Sequence, residues 1–218
     1  MKKCIIFGTT YFSEMLQYYL EKYYEIKVVG YTVDKEYFEK SILDGKRVVP
    51  FDNVEDIFEP SEHSIMIGIG YNKMNNLRKL KMNEAKRKGF AIQSFIHPSS
   101  TFENVSLGEG NIVFENVTMS YGVKVGDGNI FWNGCNISHH TEIGDYNFFA
   151  PSSVLAGKVK VKNNCFVGIN ASIRGNRVLE DYTLIGAGCH MNVNSELYGV
   201  YVPERSKKLS NKISTDFM

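Results

Sequence analysis

Two adjacent histidines, His139 and His140, close a six-residue block reading Cys135-Asn136-Ile137-Ser138-His139-His140. Neutral imidazole takes up a proton near pH 7, so a histidine held against a reacting amine or hydroxyl is the natural general base. Taken alone, an exposed histidine without a role is the competing reading, and it is retained for His63, His97 and His190. The four cysteines are less promising. Cys135, Cys165 and Cys189 each open a six-residue block, where small buried residues are expected. Cys135 and Cys189 fall on one face three turns apart, about 14 Å at strand spacing, beyond disulfide reach. Reduced structural thiols are expected, as in cytosolic proteins.

A second set of chemistry-bearing residues lies early in the chain: Gly8-Thr9-Thr10-Tyr11, Asp34, and the stretch from Gly70 to Arg78. Each follows an apolar run that reads as a strand, so all three sit at the carboxyl edge of one sheet, where α/β folds bind ligands. The helix N-terminus that follows this polar turn favours an anionic group. Asp34 suits a ribose or sugar hydroxyl, although an ordinary surface carboxylate fits equally well. With Arg78 these residues suit a phosphorylated, hydroxyl-bearing ligand. The turn lacks G-x-G-x-x-G, so NAD is not expected. Arg78, Lys79, Lys81, Lys86, Arg87 and Lys88 are expected to form a solvated helix face. Arg205, Lys207 and Lys208 are expected in a solvated tail, within reach of a cofactor phosphate at most.

The elements behind these residues are of two kinds. From Val105 to Asn194 the chain divides into fifteen hexads without an insertion, each with an apolar third residue, from Leu107 and Val113 to Ile185 and Met191. Such a period marks a parallel β-helix of hexapeptide repeats, three hexads to a coil. Residues eighteen apart stack about 4.8 Å from one another. Ile137 points inward, which sets His139 and His140 at the next corner. Ahead of this region, residues 3–8, Ile26–Val33, Ser64–Ile69 and Phe90–Ile96 read as strands. Helices are expected from Glu14 to Tyr23, capped by Ser13, and from Tyr71 to about Lys88, capped by Gly89. Residues 35–62 read as polar and irregular, with a short helix at 54–58. Strands alternating with helices give a parallel sheet covered on both faces. The expected organisation is a small Rossmann-like α/β domain over residues 1–96, an all-β β-helix over 97–204 and a tail over 205–218.

Composition narrows the function classes. The chain has 218 residues and a net charge of +1, with no nucleic-acid footprint. No apolar run approaches the ~20 residues of a membrane span, and the run at Cys4 is too short for a signal-peptide core of ~7–15 residues. A cytoplasmic location is expected.

The order of parts resembles the hexapeptide-repeat acyltransferases of the sialic acid O-acetyltransferase type, which include N-acetyltransferases for nucleotide-activated amino sugars. The resemblance rests on CIIFGTTYFSE with VVGYTVD, IGIGYNKMNNLR, FIHPSS, NISHHTEIGDYNFFAPSSVLAGKVKVKNNCFVGINASIRGN and TLIGAG, and it spans nearly the whole chain. It implies a left-handed β-helix, a homotrimer, and acetyl-CoA as cosubstrate in the groove between neighbouring prisms. It implies His139 as general base, five residues before Gly144. The next family residue is usually acidic. Here it is His140, so Glu142 or another side chain takes that part, or His139 works with less assistance. Cofactor contacts carry over to Gly157, beside the thioester, and to Ile169 and Ala187 along the pantetheine arm. Nucleotide-sugar contacts carry over to Gly8, Thr9, Thr10, Asp34, Gly70 and Arg78. Phe148 stands where some members have a polar residue, implying a more apolar sugar pocket.

The implied reaction is N-acetyl transfer to a nucleotide-linked amino sugar in surface-glycan or polysaccharide biosynthesis, without metal. The alternatives are O-acetyl transfer to a sugar hydroxyl and an inactive nucleotide-sugar-binding scaffold. A metal-dependent lyase would need three histidines across an interface, and no third histidine has the matching coil spacing.

Overall fold

The computed structural model describes residues 2–204, 206, 210 and 215. Arg205, Lys207 and Lys208, and most of the expected tail, lie outside the described residues. The chain opens with β1 (Lys3–Phe7), α1 (Tyr11–Tyr23) and β2 (Lys27–Val33). There follow β3 (Ile42–Leu43), β4 (Lys46–Pro50), α2 (Val54–Ile57), β5 (His63–Ile67), α3 (Asn76–Arg87) and β6 (Ala91–Ile92). These strands form one sheet in the order β3-β4-β2-β1-β5-β6, parallel except for the β3–β4 pair.

Four local expectations are corrected. Helix α1 starts at Tyr11, so Thr10 holds the cap position and Ser13 sits fully buried in the first turn. The stretch 35–62 is not irregular throughout, because β4 pairs with β2 inside the sheet. Its charged start and terminal proline disguise it as loop. Helix α3 starts at Asn76 rather than Tyr71. Lys73, Met74 and Asn75 make a left-handed turn, with φ of 51°, 51° and 64°. The buried Asn75 amide holds that turn to the Cys165 carbonyl at 3.1 Å, ninety residues away. The expected strand 90–96 is split. β6 pairs with β5, whereas β7 (Phe95–Ile96) is already the first rung of the second region.

That second region is a prism of two-residue parallel strands in sheets of seven, six and five, an arrangement that fits a left-handed β-helix. The seven-stranded sheet, from β7 to Val200–Tyr201, faces the α/β sheet and is called the docking face. The six-stranded sheet, Thr101–Phe102 to His190–Met191, is the open face. The five-stranded sheet, Ser106–Leu107 to Val178–Leu179, is the charged face, with Lys124, Glu142 and Lys160 outward. Third-position residues fill the interior, and all but Leu107, in the end coil, are buried. Phe131 and Phe149 stack at 4.6 Å along one column. The prism continues past Asn194, where the period stops, through the last strand at Val200–Tyr201.

The two regions share a core. Phe95, Ile112, Phe114, Ile130 and Phe148 on the docking face pack with Leu16 and Leu20 of α1. Each such side chain contributes roughly 1.5–3 kcal/mol on burial. Burial also explains the thiols: all four cysteines are free and buried, and desolvation pushes the Cys4 thiol up to about 12 and that of Cys135 to about 11.

Candidate active site

The corner between the open and charged faces carries both histidines. His140 makes the turn itself, at φ 56°. The two Nδ1 atoms lie 3.1 Å apart, and both side chains are exposed. One coil further on is Gly157. A side-chain carbon there would stand 2.5 Å from His139 Nε2, so glycine alone lets the imidazole lie over the next rung. Glu142, weighed above as the acid partner, instead pairs with Lys160 at 3.2 Å on the charged face.

The corners differ in what their backbone amides do. Between the charged and docking faces, the N–H of Glu109 donates to Asp127 Oδ1 at 3.0 Å and that of Asp127 to Asp145 Oδ1 at 2.8 Å. The Asp145 N–H donates to Asn163 Oδ1 at 2.8 Å, and the Asn163 N–H to Asp181 Oδ1 at 2.7 Å. A second, buried ladder through Asn111, Asn129 and Asn147 runs beside the first. At the other two corners the N–H groups of Gly157, Gly175, Ile169 and Ala187 donate to nothing among the described residues. Stacked amides of this kind suit carbonyl acceptors of an extended ligand. Gly175 went unread in the sequence, although it lies one coil of eighteen beyond Gly157.

A cavity of about 550 Å³ lies between the strand ends of the α/β sheet and the docking face. Gly8, Thr9, Thr10, Asp34 and Gly70 line it, as their strand-end positions imply. The N–H groups of Tyr11 and Phe12 at the start of α1 have no acceptor among the described residues, which suits an anionic ligand. The far wall is aromatic: Phe12, Tyr71, Trp132 and Phe148. Trp132 packs 6.0 Å from Phe12, and its buried Nε1 has no partner among the described residues. A buried indole N–H ordinarily finds an acceptor, which a ligand here would supply. The sole tryptophan, next to inward-pointing Phe131, was the available signal for this wall.

Arg78 does not belong to the cavity. It is 1% exposed, and its guanidinium donates to the carbonyls of Gly128 at 2.8 Å, Asn147 at 3.0 Å and Ile69 at 3.4 Å, and to that of Gly70. Burial pulls its pKa down to about 9. The guanidinium fork is consumed by backbone, and Arg78 ties α3 to the prism. The expected solvated basic face is corrected likewise. Lys81 is buried against Asp34 at 2.5 Å and Glu84 at 2.8 Å. Burial works against its charge, but the ion pairs outweigh burial and hold its pKa above the ordinary lysine value. Lys86 joins Glu109 and Asp127 on the prism, and Lys88 holds Glu55 at 2.7 Å. Asp34 thus lines the cavity as a carboxylate already paired on one side.

Within one chain the cavity and the histidines lie apart. The cavity opens on the docking face, and His139 sits at the corner where that face takes no part. Among the described residues no cluster of three metal-ligating side chains forms, and no helix is long and apolar enough to cross a membrane.

No family model matches the chain. Several solved structures do. PerB from Caulobacter crescentus, in complex with CoA and GDP-perosamine, superposes with a TM-score of 0.82 at 23% identity, over 93% of this chain and 95% of its own. The acetyltransferase domain of PglB from Neisseria gonorrhoeae gives 0.81 at 17% identity, over 96% and 100%. WeeI from Acinetobacter baumannii gives 0.74 at 15%, over 89% and 96%. The likeness is one of fold.

Proposed function

We propose that this chain is an acetyl-CoA-dependent acetyltransferase that acts on the amine of a nucleotide-linked amino sugar, in surface-glycan or polysaccharide biosynthesis in the cytoplasm. The observation that carries this reading is His139 Nε2 laid over Gly157, at a corner where the Gly157 and Gly175 N–H groups have no acceptor among the described residues. The fold likeness supports it, since one matching structure is a GDP-perosamine N-acetyltransferase with CoA and GDP-perosamine bound, there with a histidine replaced by alanine.

In this reading residues 1–96 form a Rossmann-like domain for the nucleotide sugar, 97–204 the left-handed β-helix and 205–218 a tail. The α1 N-terminus with Thr9 and Thr10 holds phosphate, Gly8 and Gly70 let it approach, and Asp34 accepts from a hydroxyl. Trp132 and Phe148 wall the sugar. His139 Nε2 takes a proton from the amine as its nitrogen bonds to the thioester carbonyl carbon. The Gly157 N–H steadies the oxyanion. Collapse breaks the carbon–sulfur bond, and the CoA thiolate leaves and is protonated. The bare amides of Ile169 and Ala187 hold the pantetheine arm. No covalent enzyme intermediate is required. The separation of cavity and His139 within one chain supports a homotrimer, in which one prism brings His139 to the next chain's cavity.

The test is thiol release from acetyl-CoA with UDP-, dTDP- and GDP-linked amino sugars, comparing the native chain with His139→Ala. Turnover on an amino sugar, cut roughly 10²–10⁴-fold by the substitution, is expected. Turnover only on sugar hydroxyls moves the assignment to O-acetyl transfer. Failure to bind acetyl-CoA sinks the acyltransferase reading.

A further inference from the structure

We propose that His140 is the positioning residue of the base, accepting from the His139 Nδ1–H and so fixing the tautomer that leaves His139 Nε2 bare. This inference rests on the acetyltransferase reading above.

Two Nδ1 atoms 3.1 Å apart stand at hydrogen-bond distance, an approach that one shared proton satisfies. With two protons the N–H groups would oppose each other, and with none the lone pairs would. The single proton has two neutral placements. If His140 donates, His139 carries its remaining proton on Nε2 and cannot act as a base there. If His139 donates, its Nε2 lone pair faces the Gly157 backbone, where the reacting amine must come.

The His140 ring is held for this task. It projects from a left-handed corner and lies over Gly122, where a side-chain carbon would meet Cδ2 at 3.4 Å. Tyr121 packs edge-on at 5.7 Å, and the His139 ring stands nearly perpendicular at 82°. Among the described residues neither imidazole makes a hydrogen bond other than the contact between the two Nδ1 atoms. Tyr121 packs on His140, Lys158 follows one coil on and gives its backbone N–H to the His139 carbonyl at 2.9 Å, and Glu142 is taken by Lys160. When His139 Nε2 gains the amine's proton, the Nδ1–H···Nδ1 bond becomes charge-assisted and the charge spreads towards the second ring. A neutral acceptor steadies an imidazolium less than a carboxylate does. The pair therefore suits an amine, which asks less of its base than a hydroxyl.

The experiment compares kcat, KM and the pH–rate profile of the full chain with those of His140→Ala, His140→Asn and His140→Glu. Nitrogen-15 NMR of the resting protein reads the His139 tautomer without turnover. His140→Ala should lower kcat at least roughly 10-fold, a part of the ~10²–10⁴ carried by the base, with both KM values unchanged. His140→Asn, whose amide oxygen accepts the same N–H, should recover to within roughly threefold of native. His140→Glu should raise kcat and move the acid limb to higher pH, because a carboxylate stabilises the imidazolium. The native spectrum should show His139 protonated at Nδ1. A His139 protonated at Nε2, or a His140→Ala enzyme with native kcat while His139→Ala is inactive, overturns the inference and leaves the acetyltransferase reading standing. Undiminished turnover by His139→Ala removes both.

Discussion

The Asp145 corner and the His139 corner are built from the same hexad backbone, and they put their amides to opposite uses. At the first, Asp127, Asp145, Asn163 and Asp181 cap the N–H group one coil back. With the N–H groups of Glu109, Asp127, Asp145 and Asn163 capped, that edge serves as the ledge on which α3 rests through Arg78 and Lys86. At the second, Gly157 and Gly175 offer no side chain to cap anything, and their donors stay open beside His139. A repeat fold thus assigns an edge to support or to chemistry by one side chain per coil, without altering the backbone.

The largest expected effect tests the supporting edge. Arg78→Met leaves the carbonyls of Gly128, Ile69 and Gly70 without their donor, and should cost roughly 3–5 kcal/mol in denaturant unfolding. If Arg78 bound substrate instead, stability would hold and KM for the nucleotide sugar would rise. Next is the open edge. Gly157→Ala puts a methyl 2.5 Å from His139 Nε2, and displacing the base should lower kcat roughly 10²-fold. An unchanged kcat would show that the position of the ring over Gly157 is immaterial. The smallest effect is on the capping ladder. Asp145→Ala frees the Asp127 N–H and should cost about 1 kcal/mol of stability with kcat unaltered. A fall in kcat there would erase the contrast between the two edges.

The prism was legible because its signal is local and repeated. Fifteen hexads fix the phase of every side chain, so the inward columns and the corner place of His139 followed from counting. The strand ends at Gly8, Asp34 and Gly70 were legible for the same kind of reason, since apolar runs end where they do. What escaped depends on contacts between distant residues. Arg78 has the look of a phosphate ligand until Gly128 and Asn147 surround it. The left-handed turn before α3 answers to Cys165, and no local pattern announces it. The aromatic wall joins Phe12 to Trp132 across two regions whose spacing in sequence carries no information.

The unbroken register of the coils also makes chain length a ruler. Each added or removed coil of eighteen residues between β7 and His139 would shift the histidines along the prism axis by about 4.8 Å, the distance between paired strands. They would keep their corner and change only their height relative to the cavity. An insertion of six would instead carry them a third of the way round, to another edge. Under the proposed function, the height of the histidines against a neighbouring chain's cavity would therefore drift by whole coils, while any other change in length would move them off that edge.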